Sequence, residues 1–330
     1  MIRTSRTWRR TVSSETGVQP SSRPALRSLL FVPGTKVEWL GKAKESGADA
    51  VILDLEDAVP ELQKPHARGQ VAEAVAQAEA NAFGSVAVFV RVNPLESWEV
   101  ADELRAIARP GLSGIVLPKV SSARDVWLAD RMLGWCEREA GLPADQVALV
   151  PLLETARGLR DAQDVAAAAA RVAYLGALTA PGGDVERAVG YRWTPEGTGT
   201  LALRARVLLD ARAEQVPHPV TGLWTRIDDL GGLRAFAEQN RDLGYEGMMA
   251  IHPSHVPVIN EVFSPGPEEL DRCARLVASV EEAQAHGVGA VSFEGEMVDE
   301  AMVATARLTL RRHARERGPD SPGAAAGGEH

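Results

Sequence analysis

Two acids in this 330-residue chain stand where a divalent cation could be held. Glu154 ends the apolar run VALVPLL (147–153), and Asp184 follows the run RVAYLGAL (171–178), inside APGGDVERAVG. A bare carboxylate after a buried run needs a cap to serve, a counter-charge or a metal. Magnesium fits this pair, because it takes one or two carboxylates and fills its octahedron with water and substrate oxygens. Gly182-Gly183 gives the backbone the freedom to turn Asp184 inward. The structural alternatives are a negative charge at the helix that starts near Thr155 for Glu154, and an N-cap for VERAV for Asp184.

Two cations complete the chemically interesting set. Arg91 ends the run VAVFVRV. It can bind a substrate carboxylate with two prongs or stabilise a developing oxyanion. Its structural alternative is an ion pair with Asp54 or Glu56, and both uses can hold at once. Lys119, in LPKV, offers a rival chemistry, since a desolvated lysine forms a Schiff base with a carbonyl substrate; otherwise it is a salt bridge to a neighbouring acid. The stretch RSLLFVPGT (27–35) ends in Pro-Gly, where a ligand or phosphate can approach the backbone, with Arg27, Lys36 and Lys42 nearby.

Glu154, Arg91 and Lys119 share a position, at or just past the end of an apolar run. The runs are 26–33, 48–55, 86–92, 113–120, 147–153, 171–178, 218–224 and 246–253. Helical stretches lie between them, among them KPHARGQVAEAVAQAEA and SSARDVWLADRMLGWCERE, the second with Ser121 or Ser122 as its N-cap. Runs hydrophobic on both faces and joined by helical crossovers predict a parallel α/β fold. A (β/α)8 TIM barrel is preferred to an open doubly wound sheet, because it brings all the polar run ends (Asp54, Glu56, Asp57, Arg91, Asn93, Lys119, Glu154, His252) to one mouth.

The expected organisation is a disordered arm at 1–25, a barrel at 26–264, a C-terminal helical extension or lid at 265–317 and a disordered tail at 318–330. Net charge is −9, which argues against nucleic acid as the main partner but leaves room for a local basic pocket. The two cysteines, Cys136 and Cys273, form no CxxC and suggest neither zinc nor a disulfide framework. No apolar run reaches the roughly 18 residues of a membrane span, and no apolar segment of a secretion signal follows Arg9-Arg10. The expectation is a reduced, cytoplasmic protein.

The motifs RSLLFVPG, AVILDLEDAV, VRVNP, IVLPKV, PLLETARGL, GGDVERAVG, MAIHPSHVPVINEVFSP and FEGEMVDEAM, in that order, resemble the citrate lyase β-subunit (CitE-like) family of the HpcH/HpaI aldolase superfamily. The likeness runs from about Leu26 to Arg312. It implies a barrel assembled as a homotrimer or hexamer, and a Mg²⁺-dependent carbon–carbon lyase, or condensing enzyme, acting on CoA thioesters of hydroxy acids with a 2-oxo acid as partner. By motif it implies Glu154 and Asp184 as metal ligands and Arg91 as the substrate-binding arginine. Phe31 and Lys42 would lie on the substrate and CoA side. Asp299, in GEMVDE, would complete a neighbouring subunit's site and move the proton at the acyl carbon. Two departures stand out. The family's Gly-x-x-Asp stretch would put its acid at Thr179, so Asp184 can serve only through an inserted turn. The glutamine of the family's IHPxQ is His255. A metal-dependent aldolase on free 2-oxo acids, and a non-catalytic barrel subunit, are the alternative functions.

Overall fold

The computed structural model describes residues 23–286 and 291–316. The remainder of the expected N-terminal arm and C-terminal tail lies outside the described residues. The chain divides into two compact units, one up to Phe263 and one from Ser264.

In the first unit the eight apolar runs form parallel strands: β1 (Ser28–Pro33), β2 (Ala50–Asp54), β3 (Ala87–Arg91), β4 (Leu112–Leu117), β5 (Ala148–Pro151), β6 (Tyr174–Leu175), β7 (His218–Thr221) and β8 (Gly247–Ala250). Hydrogen bonding follows the order β5-β4-β3-β2-β1-β8-β7-β6. Single parallel bridges, Leu149 to Val172 and Leu152 to Gly176, close β5 onto β6. The result is a (β/α)8 TIM barrel. Its strands are shorter than the apolar runs, because each run continues past the ladder into the loops at either end.

Alternation along each strand sorts the side chains into two cores. Leu29, Ile52, Phe89, Val116, Val150, Tyr174 and Met249 fill the barrel interior. Leu30, Val51, Val88, Ile115 and Leu149 face outward into the helix layer. Interior space is tight: a Cβ at Gly114 would stand 2.5 Å from Cε1 of Phe89, so the absence of a side chain in β4 is what admits that ring. The same parity carries Phe31, Asp54, Arg91 and Glu154, each an even number of residues beyond an interior position, to the inward side of the mouth.

The helices match the sequence pattern. Lys64–Glu79 and Ala123–Glu139 fall where the amphipathic stretches predict them. Ser122 is the N-cap of the latter, and the Asp125 carboxylate accepts from the backbone N–H of both Ser121 and Ser122, at 2.8 and 2.9 Å. At the opposite end of the barrel, Arg23 donates to the carbonyls of Asp145 and Gln146, and Tyr174 donates to that of Pro24. The chain is therefore already tied to the barrel at residues expected to belong to a disordered arm.

The second unit consists of a helix, Pro267–Ala285, a hairpin, Val291–Phe293 with Glu296–Val298, and a helix, Glu300–Glu316. Leu276, Val280, Phe293, Val298, Val303 and Ala306 form its own small core. No helix among the described residues is long and apolar enough to cross a membrane.

Candidate active site

Parallel register places Asp54, the last residue of β2, beside Arg91, the last of β3. Arg91 donates from Nε to Asp54 Oδ1 at 2.7 Å and from Nη2 to Oδ2 at 2.6 Å. Its Nη1 meets Glu56 Oε2 at 3.0 Å. Lys119 Nζ takes the other Glu56 oxygen, Oε1, at 2.7 Å and reaches Asp57 at 3.3 Å. Phe31, half-buried and the fourth residue of β1, lies under the Arg91 guanidinium, 5.0 Å from ring centroid to carbon. An ion-pair network therefore spans the ends of β2, β3 and β4.

Burial acts on each charge in this network. It lowers the Arg91 pKa, but the hydrogen bonds and charge of Asp54 and the charge of Glu56 outweigh it and hold the guanidinium above its usual range. Burial pushes the Glu56 carboxyl up, against the opposing pull of Arg91. Lys119 is held above the ordinary lysine value, because its bond to Glu56 outweighs the effect of burial. Of the five N–H donors of the guanidinium, two are spent on hydrogen bonds to Asp54, while Nη1 meets Glu56 as an ion contact.

Glu154 follows β5 on the same mouth. Its Oε2 accepts one bond, from the backbone N–H of Lys119 at 3.3 Å. Lys119 has a positive φ of 53°, a region that non-glycine residues rarely enter. That conformation belongs to the turn from which its amide reaches Glu154. Burial first, and then the charges of Glu56 and Asp184, push the Glu154 carboxyl up to about 7, against the opposing charge of Arg91. Glu154 does not cap the helix that follows. That cap is Thr155, whose Oγ1 accepts from Gly158 N at 2.9 Å.

Asp184 is the first residue of the six-residue helix Asp184–Val189, with Gly183 as its N-cap. The N-cap reading of Asp184 is thus off by one residue. Its carboxylate pairs with Arg187, one helical turn on, while remaining near enough for its charge to raise the Glu154 pKa. Thr179, at the position where the resemblance would put an acid, is fully buried.

Lys42, exposed on the helix Leu40–Glu45, has its ammonium 5.7 Å from the Trp39 ring. Asp299 belongs to the second unit. Its Oδ1 accepts from Met302 N at 3.3 Å, at the start of the last helix. His255 is buried and points Nε2 at the carbonyl of Ile227, 3.3 Å away.

The donor set near Glu154 suits a hard cation. Glu154 and Asp184 offer only oxygen, their charges repel, and among the described residues no side-chain cation pairs directly with Glu154. No group of three or more His, Cys, Asp or Glu side chains forms a metal cage among the described residues. Sequence reasoning reached Asp54 and Glu56 as partners of Arg91 but not Glu186, whose carboxylate accepts from the backbone N–H of Gly182 and of Trp193. Glu186 stands in no alternating run, and nothing in its neighbours marks its role.

A parallel barrel with an arginine and several acids at the C-terminal ends of its strands has the arrangement of a barrel enzyme, whose active site forms at that face. Within that class, residues 27–253 match the HpcH/HpaI aldolase/citrate lyase family, and the chain belongs to it. It is 37% identical over 291 residues to a citrate lyase subunit beta-like protein of Deinococcus radiodurans, covering 88% of this chain and 98% of that one. It is 36% identical over 287 residues to a (3S)-malyl-CoA thioesterase of Cereibacter sphaeroides, covering 87% and 94%. Among solved structures it resembles the protein CitE of Mycobacterium tuberculosis in complex with magnesium, acetoacetate and coenzyme A. There the TM-score is 0.66, with 28% identity over 88% of this chain and 98% of that one.

Proposed function

We propose that the protein is a Mg²⁺-dependent carbon–carbon lyase, or the corresponding condensing enzyme, for CoA thioesters of hydroxy acids. The observation that carries this reading is the corner formed by Glu154 and Asp184. Among the described residues Glu154 has no ion-pair partner of its own; burial and the nearby charge of Asp184 push its carboxyl up, and Asp184 itself is held only by Arg187 on its own helix, while Arg91 stands near enough to oppose that push. The reading is supported by family membership and by the magnesium and coenzyme A bound to the mycobacterial relative.

Glu154 and Asp184 would hold the ion. Magnesium, when bound, supplies Lewis acidity to the 2-oxygen of the oxo acid and so favours charge on that oxygen. Arg91 turns its remaining N–H groups to the same developing charge, in a site where burial strengthens each such bond. In cleavage, the hydroxyl gives its proton to water, its oxygen electrons form the carbonyl of the oxo acid as the carbon–carbon bond breaks, the bond pair leaves on the acyl carbon as a thioester enolate, and a proton is delivered to that carbon. Asp299, supplied by a neighbouring copy, is the proposed carrier of that last proton. Phe31 packs beneath Arg91 and keeps water from one face of it; Lys42 is the proposed contact on the CoA side. The second unit would act as a lid, and the assembly would be a cytoplasmic homotrimer or hexamer.

A second reading, thioester hydrolysis, is favoured by the malyl-CoA thioesterase relative, which is about as similar as the citrate lyase-like one. The test is turnover of malyl-, methylmalyl-, citramalyl- and citryl-CoA with Mg²⁺. Lyase action yields a shorter acyl-CoA and an oxo acid. Hydrolysis yields free CoA and the intact hydroxy acid. No turnover of any thioester, with no Mg²⁺ affinity, would leave a non-catalytic subunit.

A further inference from the structure

We propose that Glu186 is a positioning residue that locks the turn carrying Asp184 into its metal-binding geometry; this rests on the metal site proposed above. Glu186 Oε2 accepts from the backbone N–H of Gly182 at 2.6 Å, and Oε1 accepts from that of Trp193 at 3.0 Å. One carboxylate thereby ties the chain just before the helix Asp184–Val189 to the chain just after it. The tie is needed there. A six-residue helix is far below the length at which a helix holds itself. The segment is also flanked by Gly182 and Gly190, whose φ values of 70° and 81° lie in the left-handed region. Without a clamp, both ends could swing.

The far side of the clamp is anchored. The Trp193 ring packs on Trp224 at 5.5 Å, and Trp224, buried, packs on Phe236 at 5.9 Å. The buried guanidinium of Arg204 lies over Phe236 at 5.1 Å and donates to the Gly197 carbonyl at 3.2 Å. Gln239 donates to the carbonyl of Glu196 at 2.8 Å. The stretch 193–197 is thus pinned to the barrel helices Thr198–Ala213 and Leu230–Leu243. Constraint passes from those helices through Trp193 and Glu186 to Gly182, two residues from Asp184. Because the bonds are to backbone, they order the turn before the ion arrives, and the ion does not have to do so on binding.

The test is Mg²⁺ titration of the full-length protein by calorimetry, with amide hydrogen exchange across 182–193. E186A is expected to weaken Mg²⁺ binding by about tenfold, the lower range for residues that support metal ligands. Exchange at Gly182 and Trp193 should quicken while the melting temperature changes little. E186Q, which keeps one acceptor oxygen, should lose less, and it serves as the reporter if E186A does not fold. Wild-type Mg²⁺ affinity in E186A and E186Q overturns the inference alone. A wild-type protein with no Mg²⁺ affinity overturns the metal-site reading and takes the inference with it.

Discussion

Arg91 and Asp54 are joined by two parallel hydrogen bonds of 2.7 and 2.6 Å across adjacent strand ends, and the same guanidinium also compensates buried Glu56. A lysine cannot reproduce this fork. Arg91→Lys should therefore keep the fold but lower kcat/KM by about a hundredfold, the scale of losing one donor to a developing oxyanion. Arg91→Ala should lower stability by about 3 kcal/mol in urea melts, because two buried acids lose their partner. Full turnover by the lysine variant would remove Arg91 from the chemistry.

Glu154 makes stability depend on pH in the metal-free protein. Its carboxyl titrates near 7 when folded, pushed up by burial and by Glu56 and Asp184, against an ordinary 4.5. The folded state then binds more protons than the unfolded state between those values, so stability from this group falls as pH rises from about 4.5 to 7. The expected loss is on the order of 3 kcal/mol. Glu154→Gln should melt higher than wild type at pH 8 without metal and show little difference at pH 4.5. It should bind no Mg²⁺ and be inactive. If the two proteins melt alike at pH 8, Glu154 is not held in this environment.

Lys119 is engaged with Glu56 and Asp57 and stays protonated, the opposite of what a Schiff-base lysine needs. Borohydride with a 2-oxo acid should leave no adduct detectable by mass spectrometry, and EDTA should abolish turnover. A trapped adduct at Lys119, with activity surviving EDTA, would revive the lysine mechanism.

Asp299 has a local structural use, because its carboxylate accepts from Met302 N at the start of the last helix. Asparagine keeps that cap and removes the charge. Asp299→Asn should therefore hold its melting temperature and CoA affinity while losing proton transfer to the acyl carbon, read as deuterium exchange into the acyl-CoA. If exchange continues at the wild-type rate, the proton is carried elsewhere.

Much of the architecture could be read from the chain because hydrophobic runs and helical stretches are local signals. The eight runs, the helices between them and the polar run ends needed only neighbouring residues. The helix at Asp184 was harder: the N-cap is Gly183, and the residue that steadies the turn, Glu186, bonds to amides whose approach depends on how the chain returns at Trp193. The Glu154 reading needed the same kind of information, since Thr155, with its hydroxyl on Gly158, caps the helix in its place.

Alternation with a period of two was enough to turn Phe31, Arg91 and Glu154 to one side, because a strand has no other choice for every second residue. Pairing was settled by barrel closure and strand register. Asp54 and Arg91 are 37 residues apart in the chain, yet share a rung between β2 and β3. Glu154 feels Glu56 and Asp184 because the barrel brings the ends of separate strands to one mouth. Charge interactions fall with distance and strengthen as water is excluded, so residue types named the possible partners, while folding chose among them.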